Sequence, residues 1–595
     1  MIQYRVRLAD LNRHHFEVSC RVEAPATEQR FSMPSWIPGS YLLREFARHI
    51  VSIRAESDGR DVEVEKISKS SWCCRDAGSV LTVTIEVFAL DQSVRGAYLD
   101  GQRGYFNGTC LFLCPEGREA GPVEVALETP ADPRCERWRV ATAMTPVGID
   151  ANGFGTYRAE DYDELIDHPA EISDYAEVEF EAAGVAHRLV IAGRQHTDLA
   201  RIATDLSRLC EAQIDLFGRP PPFSEYLFLG LAVGEGYGGL EHRASSSLIF
   251  SRDDLPKIAE QGIPREYQRF LSLCSHEYFH TWNIKRIKPE VFTPYRLDRR
   301  NHTRLMWVFE GITSYYQDLM LLRSDLIGAQ AYLARLAQML TRVYRAPGRL
   351  RQSISESSFD AWDKLYKPEP NSANTTISYY SKGALVALAL DLTIRKDSSA
   401  SLDRIMEALW RRFGEGSAGV PEGEFERLSE EITGMDLAGF FDAAVRGTED
   451  LPLAALLADF GVKLEFRQAA DPNDTAGKPR EGPDPLLSLG IRYQAQPGGL
   501  TLTAVVDDGP AQRAGMNPGD LLVAVDGLRV TERNMAKRLV RLEASETVPA
   551  VAFRGDELLE FQLTLAEAAQ DTCVLGLDDK PDAAALVRRK AWLGS

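Results

Sequence analysis

The hydrophobic period of this chain changes partway along it, and no other feature limits its fold so strongly. Residues 80–87 read VLTVTIEV and 123–128 read VEVALE, apolar at every second position, as on one face of a strand. Such runs, broken by Gly, Pro and Asp, fill the first 170 residues and predict a β-rich domain. Between 175 and 260, strand-like runs at 186–191, 226–231 and 246–250 surround a helical pattern at 197–217, with Leu199, Ile202, Leu206 and Ile214 on one face. From Arg265 to about Ala455 the period becomes helical, as at 329–344, 382–394 and 402–413. The run QAADPNDTAGKPREGPD at 468–484 is too rich in Pro, Gly and charge to be anything but a linker or exposed loop. The expected division is a β-rich domain at 1–170, an α/β lobe followed by a helical lobe at 171–465, a linker at 466–485, a small α+β domain at 486–570 and a tail at 571–595.

Composition narrows the partners. The 595 residues carry 68 Lys and Arg against 87 Asp and Glu, a net charge of −19, which argues against nucleic acid or an anionic membrane surface. No window approaches 18 apolar residues, and the opening MIQYRVRLADLNRHH lacks a signal peptide's apolar core, so a cytoplasmic protein is expected. Nine Cys, an odd count spread over a long chain, read as reduced structural thiols.

The sharpest motif is HEYFH at 276–280, inside the helical pattern that starts near Arg265. Histidines at i and i+4 project about 40° apart on one helix face, so His276 and His280 can reach one metal ion while Glu277 reaches a water beside it. That spacing suits zinc-assisted hydrolysis. A catalytic zinc needs a third protein ligand, and Glu310 is the best candidate, because it stands in the apolar run LMWVFEGITSYY at 305–316, where a carboxylate is costly to bury without a cation. His302, in the polar run DRRNHT and expected to be exposed, is the competing ligand.

HEYFHTWN followed by WVFEGITSYY resembles the gluzincin metallopeptidases, specifically the M61 glycyl aminopeptidase family. PSWIPGSY at 34–41, GGLEH at 238–242, YSKG at 380–383 and a PDZ-like C-terminal domain occur in that family's order, so the likeness spans nearly the whole chain. The resemblance implies a thermolysin-like catalytic region, one Zn2+ per chain and peptide substrates with a free N-terminus. It also implies that GGLEH is the exopeptidase loop, in which Gly238 and Gly239 let substrate approach and Glu241 receives the α-ammonium group. One departure is plain: thermolysin-type enzymes carry Asp four residues after the glutamate ligand, where this chain has Ser314, so Thr313 or Ser314 must serve around that ligand. His242 replaces the Asn of the related M1 aminopeptidases, which leaves its part in peptide binding open.

Tyr380 matches the place where M1 aminopeptidases carry the tyrosine that stabilises the tetrahedral oxyanion, and its neighbour Tyr379 is the alternative. The C-terminal GPAQRAGMNPGDLLVAVDG at 509–527, after LGI at 489–491, looks like a PDZ domain, which either takes a peptide's C-terminus by strand addition or only packs against the catalytic region. The resulting expectation is a zinc aminopeptidase that removes small N-terminal residues, Gly or Ala, with His276, His280 and Glu310 on the metal, Glu277 as general base and Tyr380 on the oxyanion. A zinc endopeptidase and a catalytically weak PDZ scaffold are the other readings.

Overall fold

In a computed structural model, residues 2–416, 418–470, 474–477 and 487–594 are described. They form two compact units, Met1–Asn301 with Leu409–Pro421, and His302–Ala408 with Glu422–Ser595.

The first unit begins with an eight-stranded sheet in which Ile2–Asp10 pairs antiparallel with His15–Glu23 and parallel with Val123–Leu127. Strict alternation in His15–Glu23 and Val80–Phe88 sends Val18, Cys20, Val22, Leu81, Val83 and Ile85 inward and their neighbours outward, as period-2 patterning requires. Two four-stranded sheets share the same apolar core. A five-stranded sheet follows, ordered Ala176–Ala182, Val185–Ala192, Glu225–Val233, Ser245–Ser251, Tyr237–Glu241. The helix Leu199–Phe217, capped by the Asp198 side chain on the Arg201 N–H, makes the crossover between two parallel strands. Tyr237–Glu241 is antiparallel and forms the sheet's edge. Its Leu240 is fully buried in the core of the N-terminal domain, worth about 2 kcal/mol, and so ties that edge to the domain before it.

The second unit is built around the helix Ser381–Asp397, whose residues are buried nearly all round, with Ile312–Arg323 and Ala329–Tyr344 beside it. Residues 571–595, expected as a tail, instead complete this lobe. Thr572–Leu577 pairs antiparallel with Val462–Arg467, and the helix Ala583–Leu593 buries Trp592, whose indole N–H donates to the Tyr315 hydroxyl at 3.1 Å. The expected linker therefore begins only after Arg467. Residues 471–473 and 478–486 of it lie outside the described residues. The PDZ region has its own apolar core, and the sheet starts at the edge strand Ile491–Gln496. The buried Asn374 ties it to the helical lobe, donating to Val505 O at 2.9 Å and accepting from Asp507 N at 3.0 Å.

All nine cysteines are unpaired and buried. Among the described residues no helix is long and apolar enough to cross a membrane.

Candidate active site

The helix Arg265–Phe279 starts after Pro264 and packs Phe270 edge-on against Phe250, ring centroids 4.8 Å apart. Its rear face buries Tyr278, whose hydroxyl meets His187 Nε2 at 2.9 Å. His280, the residue after the helix, keeps helical dihedrals, so the four-residue spacing still brings it beside His276. The two Nε2 atoms are 3.0 Å apart, with the rings at 85°. The Asn283 carbonyl accepts from His280 Nδ1 at 2.8 Å, which leaves Nε2 of a neutral ring with its lone pair toward His276. Two imidazole nitrogens on one tetrahedral zinc stand about 3.3 Å apart, so the pair has nearly the separation and the tautomer such an ion requires.

Glu277 lies on the same stretch and is 5% exposed. Facing it is the edge strand: the carboxylates of Glu241 and Glu277 and a ring nitrogen of His280 lie within 4.8 Å of one another. Glycine makes this approach feasible at two points. A methyl group placed on Gly239 would lie 2.0 Å from Glu277 Oε1, and one on Gly39, whose φ is +97°, would lie 2.6 Å from both oxygens of Glu241. Gly239 thus seats the Glu277 carboxylate, and Gly39, in the PSWIPGSY segment, roofs that of Glu241. Gly238 contacts Ile249 rather than Glu277, since successive strand residues face opposite ways. The Glu241 side chain is buried and its Oε1 has no hydrogen-bond partner among the described residues. A buried carboxylate so placed is a strong partner for a cation.

The strand's C-terminal end is held by Asp167, which accepts from Lys285 Nζ at 2.6 Å, His242 Nδ1 at 3.2 Å and Arg243 N at 3.0 Å. Burial pushes the Asp167 carboxyl up, but Lys285 and His242 outweigh it and hold it well below the usual range. Burial also lowers the pKa of His242, against the pull of Asp167, and presses Lys288 of the same cavity down to about 8. His242 is therefore engaged with Asp167 on one ring nitrogen.

In the second unit, Glu310 is 2% exposed and sits in the five-residue π turn Trp307–Gly311 that leads into Ile312–Arg323. Gly311 packs backbone to backbone on Gly383: a methyl on Gly311 would lie 2.7 Å from Gly383 Cα and 2.9 Å from Tyr379 O. The glycine of YSKG therefore brings the tyrosine pair to the Glu310 turn. Tyr379 is wholly buried, and desolvation, with the Glu310 charge among lesser causes, raises its pKa well above the ordinary value. Tyr380 is half-buried, stacks on Tyr379 and shares a 2.7 Å hydrogen bond with the Tyr366 hydroxyl. Of the two residues, Tyr380 is the more exposed, and the Tyr379 hydroxyl is buried without a hydrogen-bond partner among the described residues. The Thr313 hydroxyl donates to the Phe309 carbonyl one turn back, and Ser314 is 6% exposed. His302 is half-buried rather than exposed, since its ring stacks on Phe359 and its Nδ1 donates to Phe359 O at 2.9 Å.

Residues 3–174 match the model of the peptidase M61 N-terminal domain, 269–386 that of the M61 glycyl aminopeptidases and 501–551 that of the PDZ domain. The crystal structure of an aminopeptidase N family protein from Idiomarina loihiensis is 41% identical over 100% of both chains, with a TM-score of 0.95. The chain belongs to the M61 glycyl aminopeptidase family. An M1 zinc metallopeptidase from Deinococcus radiodurans is 14% identical over 76% of this chain and 94% of its own, with a TM-score of 0.48. A variant of it bound to a Tyr-Ser-Ala substrate gives 14%, the same coverage and 0.47. As a member of the M61 family the chain is a metallo-aminopeptidase.

No sequence pattern singles out Gly39, Asp167, Lys285 or Arg95, whose Nη2 donates to the Gly239 carbonyl at 3.3 Å. Gly39 stands in PSWIPGSY, one of the segments that carry the family resemblance, but nothing in it names the distant carboxylate it covers. The other three carry no local pattern.

Proposed function

We propose that this M61 enzyme removes N-terminal residues from peptides using one zinc ion per chain, held by His276, His280 and Glu310. The observation that carries the reading is Glu241: a buried carboxylate with a partnerless oxygen, roofed by Gly39 and within 4.8 Å of Glu277 and His280. A substrate's α-ammonium group satisfies that oxygen, and a blocked or internal residue does not. The His280 ring, which donates from Nδ1 and so turns Nε2 toward His276, and the buried Glu310 suit a divalent ion with nitrogen and oxygen ligands. Bound zinc supplies Lewis-acid polarisation of the scissile carbonyl and acidifies a water.

The chain's own residues do the rest. Glu241 anchors the amino terminus and fixes the first peptide bond in front of Glu277. Glu277 takes the proton from the attacking water and returns it to the leaving amine, and Gly239 holds its carboxylate in place. Tyr380 donates a hydrogen bond from its phenol to the oxygen that gains charge in the transition state. A small first residue, Gly or Ala, is in keeping with the family's name and with the close roof that Gly39 forms over Glu241. The PDZ edge strand Ile491–Gln496 offers a peptide's C-terminus a place for strand addition. Nine buried, unpaired cysteines favour a reducing, cytoplasmic setting.

The test is metal analysis with turnover of Gly- and Ala-p-nitroanilide. One zinc per chain, activity abolished by exhaustive chelation and its return on adding zinc are expected; turnover unaffected by chelation contradicts the proposal. Cleavage of N-acetylated peptides as fast as free ones would instead make the enzyme an endopeptidase.

A further inference from the structure

The carboxylates of Glu241 and Glu277 and a ring nitrogen of His280 lie within 4.8 Å of one another, on side chains that are all buried. Glycine fixes both carboxylates there, since Gly39 packs against Glu241 and Gly239 against Glu277 more closely than any Cβ would allow. Two carboxylates held this close repel each other once ionised, and burial raises the cost. The cations at the strand's end do not relieve it. Lys285 is paired with Asp167, and Arg243 with Asp163 and Asp167, while Glu241 Oε1 has no hydrogen-bond partner among the described residues. A substrate's ammonium group brings one positive charge to this pair, whereas a divalent ion matches both carboxylates.

The distances suit such an ion. Carboxylate oxygens stand about 2.0–2.2 Å from zinc, so two oxygens on one ion are at most about 4.4 Å apart. The 4.8 Å limit found here needs little adjustment to reach that. His280 adds no ligand, because its Nδ1 donates to the Asn283 carbonyl and its Nε2 faces His276, the nitrogen pair proposed above to hold the catalytic zinc. The second ion therefore takes one oxygen from each glutamate and fills its shell with water, beside the catalytic ion. Two protein ligands hold less tightly than three, so this site fills only when zinc exceeds one equivalent per chain.

We propose that Glu241 and Glu277 form a second, weaker site for a divalent metal ion, and that excess zinc inhibits the enzyme by occupying it. The inhibition rests on the reading given above, in which Glu241 receives the α-ammonium group and Glu277 the water's proton. A cation on both carboxylates takes the lone pairs that those two roles need, so it and the substrate's amino terminus exclude each other. The first test is calorimetric titration of ZnCl2 into enzyme already holding one zinc, which reads the site without turnover. One further ion per chain is expected, and Glu241→Gln and Glu277→Gln should each weaken it by about tenfold or more while keeping the first ion. The second test is turnover of Ala-p-nitroanilide by the wild type at buffered free zinc, where excess zinc should raise KM and leave kcat unchanged. No second ion, a second ion indifferent to both substitutions, or inhibition that saturating substrate does not relieve overturns the proposal. The two wild-type measurements decide the matter if neither variant folds. The calorimetric count does not depend on which residue reads the amine, whereas the comparison of free and N-acetylated peptides does, so the second site and the aminopeptidase reading fail separately.

Discussion

The helix Arg265–Phe279 and the strand Tyr237–Glu241 each bring a glutamate to the same small volume, by different means. The helix needs little beyond its own spacing. His276, Glu277 and His280 share a face because of helical geometry, and the Asn283 carbonyl three residues on sets the His280 tautomer. The strand depends on residues far away in sequence. Gly39 roofs its carboxylate, Arg95 holds its Gly239 carbonyl, Asp167 locks its end through His242 and Arg243, and Leu240 is buried in the N-terminal domain's core. The chemistry of bond breaking is thus encoded locally, whereas the choice of a free N-terminus depends on contacts from another domain. The N-terminal β-rich domain is accordingly part of the site.

The largest expected effects come from breaking each half at the point where they meet. Glu277→Gln leaves the imidazole pair intact yet should lower kcat by about a thousandfold or more, because the amide cannot take the water's proton. Gly239→Ala changes only the strand, but its new methyl would lie 2.0 Å from Glu277 Oε1, so kcat should fall by about a hundredfold with zinc content preserved. Steady-state kinetics beside metal analysis checks both. A Gly239→Ala enzyme with wild-type kcat would show that the strand does not seat the base.

A smaller effect sharpens the comparison from behind the helix. Burial drives the His187 pKa down to about 4, while the free side chain titrates near 6.5. Between those values the unfolded chain binds a proton that the folded chain refuses. The stability of this lobe is therefore complete above about pH 6.5 and falls as the pH drops toward 4, by on the order of 3 kcal/mol. His187→Phe should flatten that acid slope even though it removes the imidazole from the Tyr278 hydroxyl and lowers overall stability. Chemical unfolding between pH 4 and 7 measures it, and an unchanged slope would assign the acid sensitivity to other groups.

What was legible in the sequence follows the same division. The periodicity of the strands, the helix holding HEYFH and the apolar setting of Glu310 are short-range signals, and the motif residues could be named from them. The pairing of Tyr380 with the Glu310 turn rests on Gly311 against Gly383, a contact between two glycines that no local pattern announces. The misread tail has the same cause. Thr572–Leu577 is a short run whose partner, Val462–Arg467, lies across the whole PDZ region, and Ala583–Leu593 buries only Ala585, Trp592 and Leu593, too few to mark an apolar face. Gly39, Arg95 and Asp167 act through distance in space, which composition and spacing do not encode.

The central claim is that Glu241 selects the free amino terminus, and one pair of rate ratios tests it most directly. In wild type and Glu241→Gln, kcat/KM should be measured for a short peptide with a free N-terminus and for its N-acetylated form, with zinc content and thermal midpoint as controls. The account predicts that Glu241→Gln loses about a hundredfold or more on the free peptide, as truncating one partner of a buried charge pair does, while any residual cleavage of the acetylated peptide changes little. An equal loss on both substrates would contradict it, and would make Glu241 a structural carboxylate instead of the residue that reads the amine.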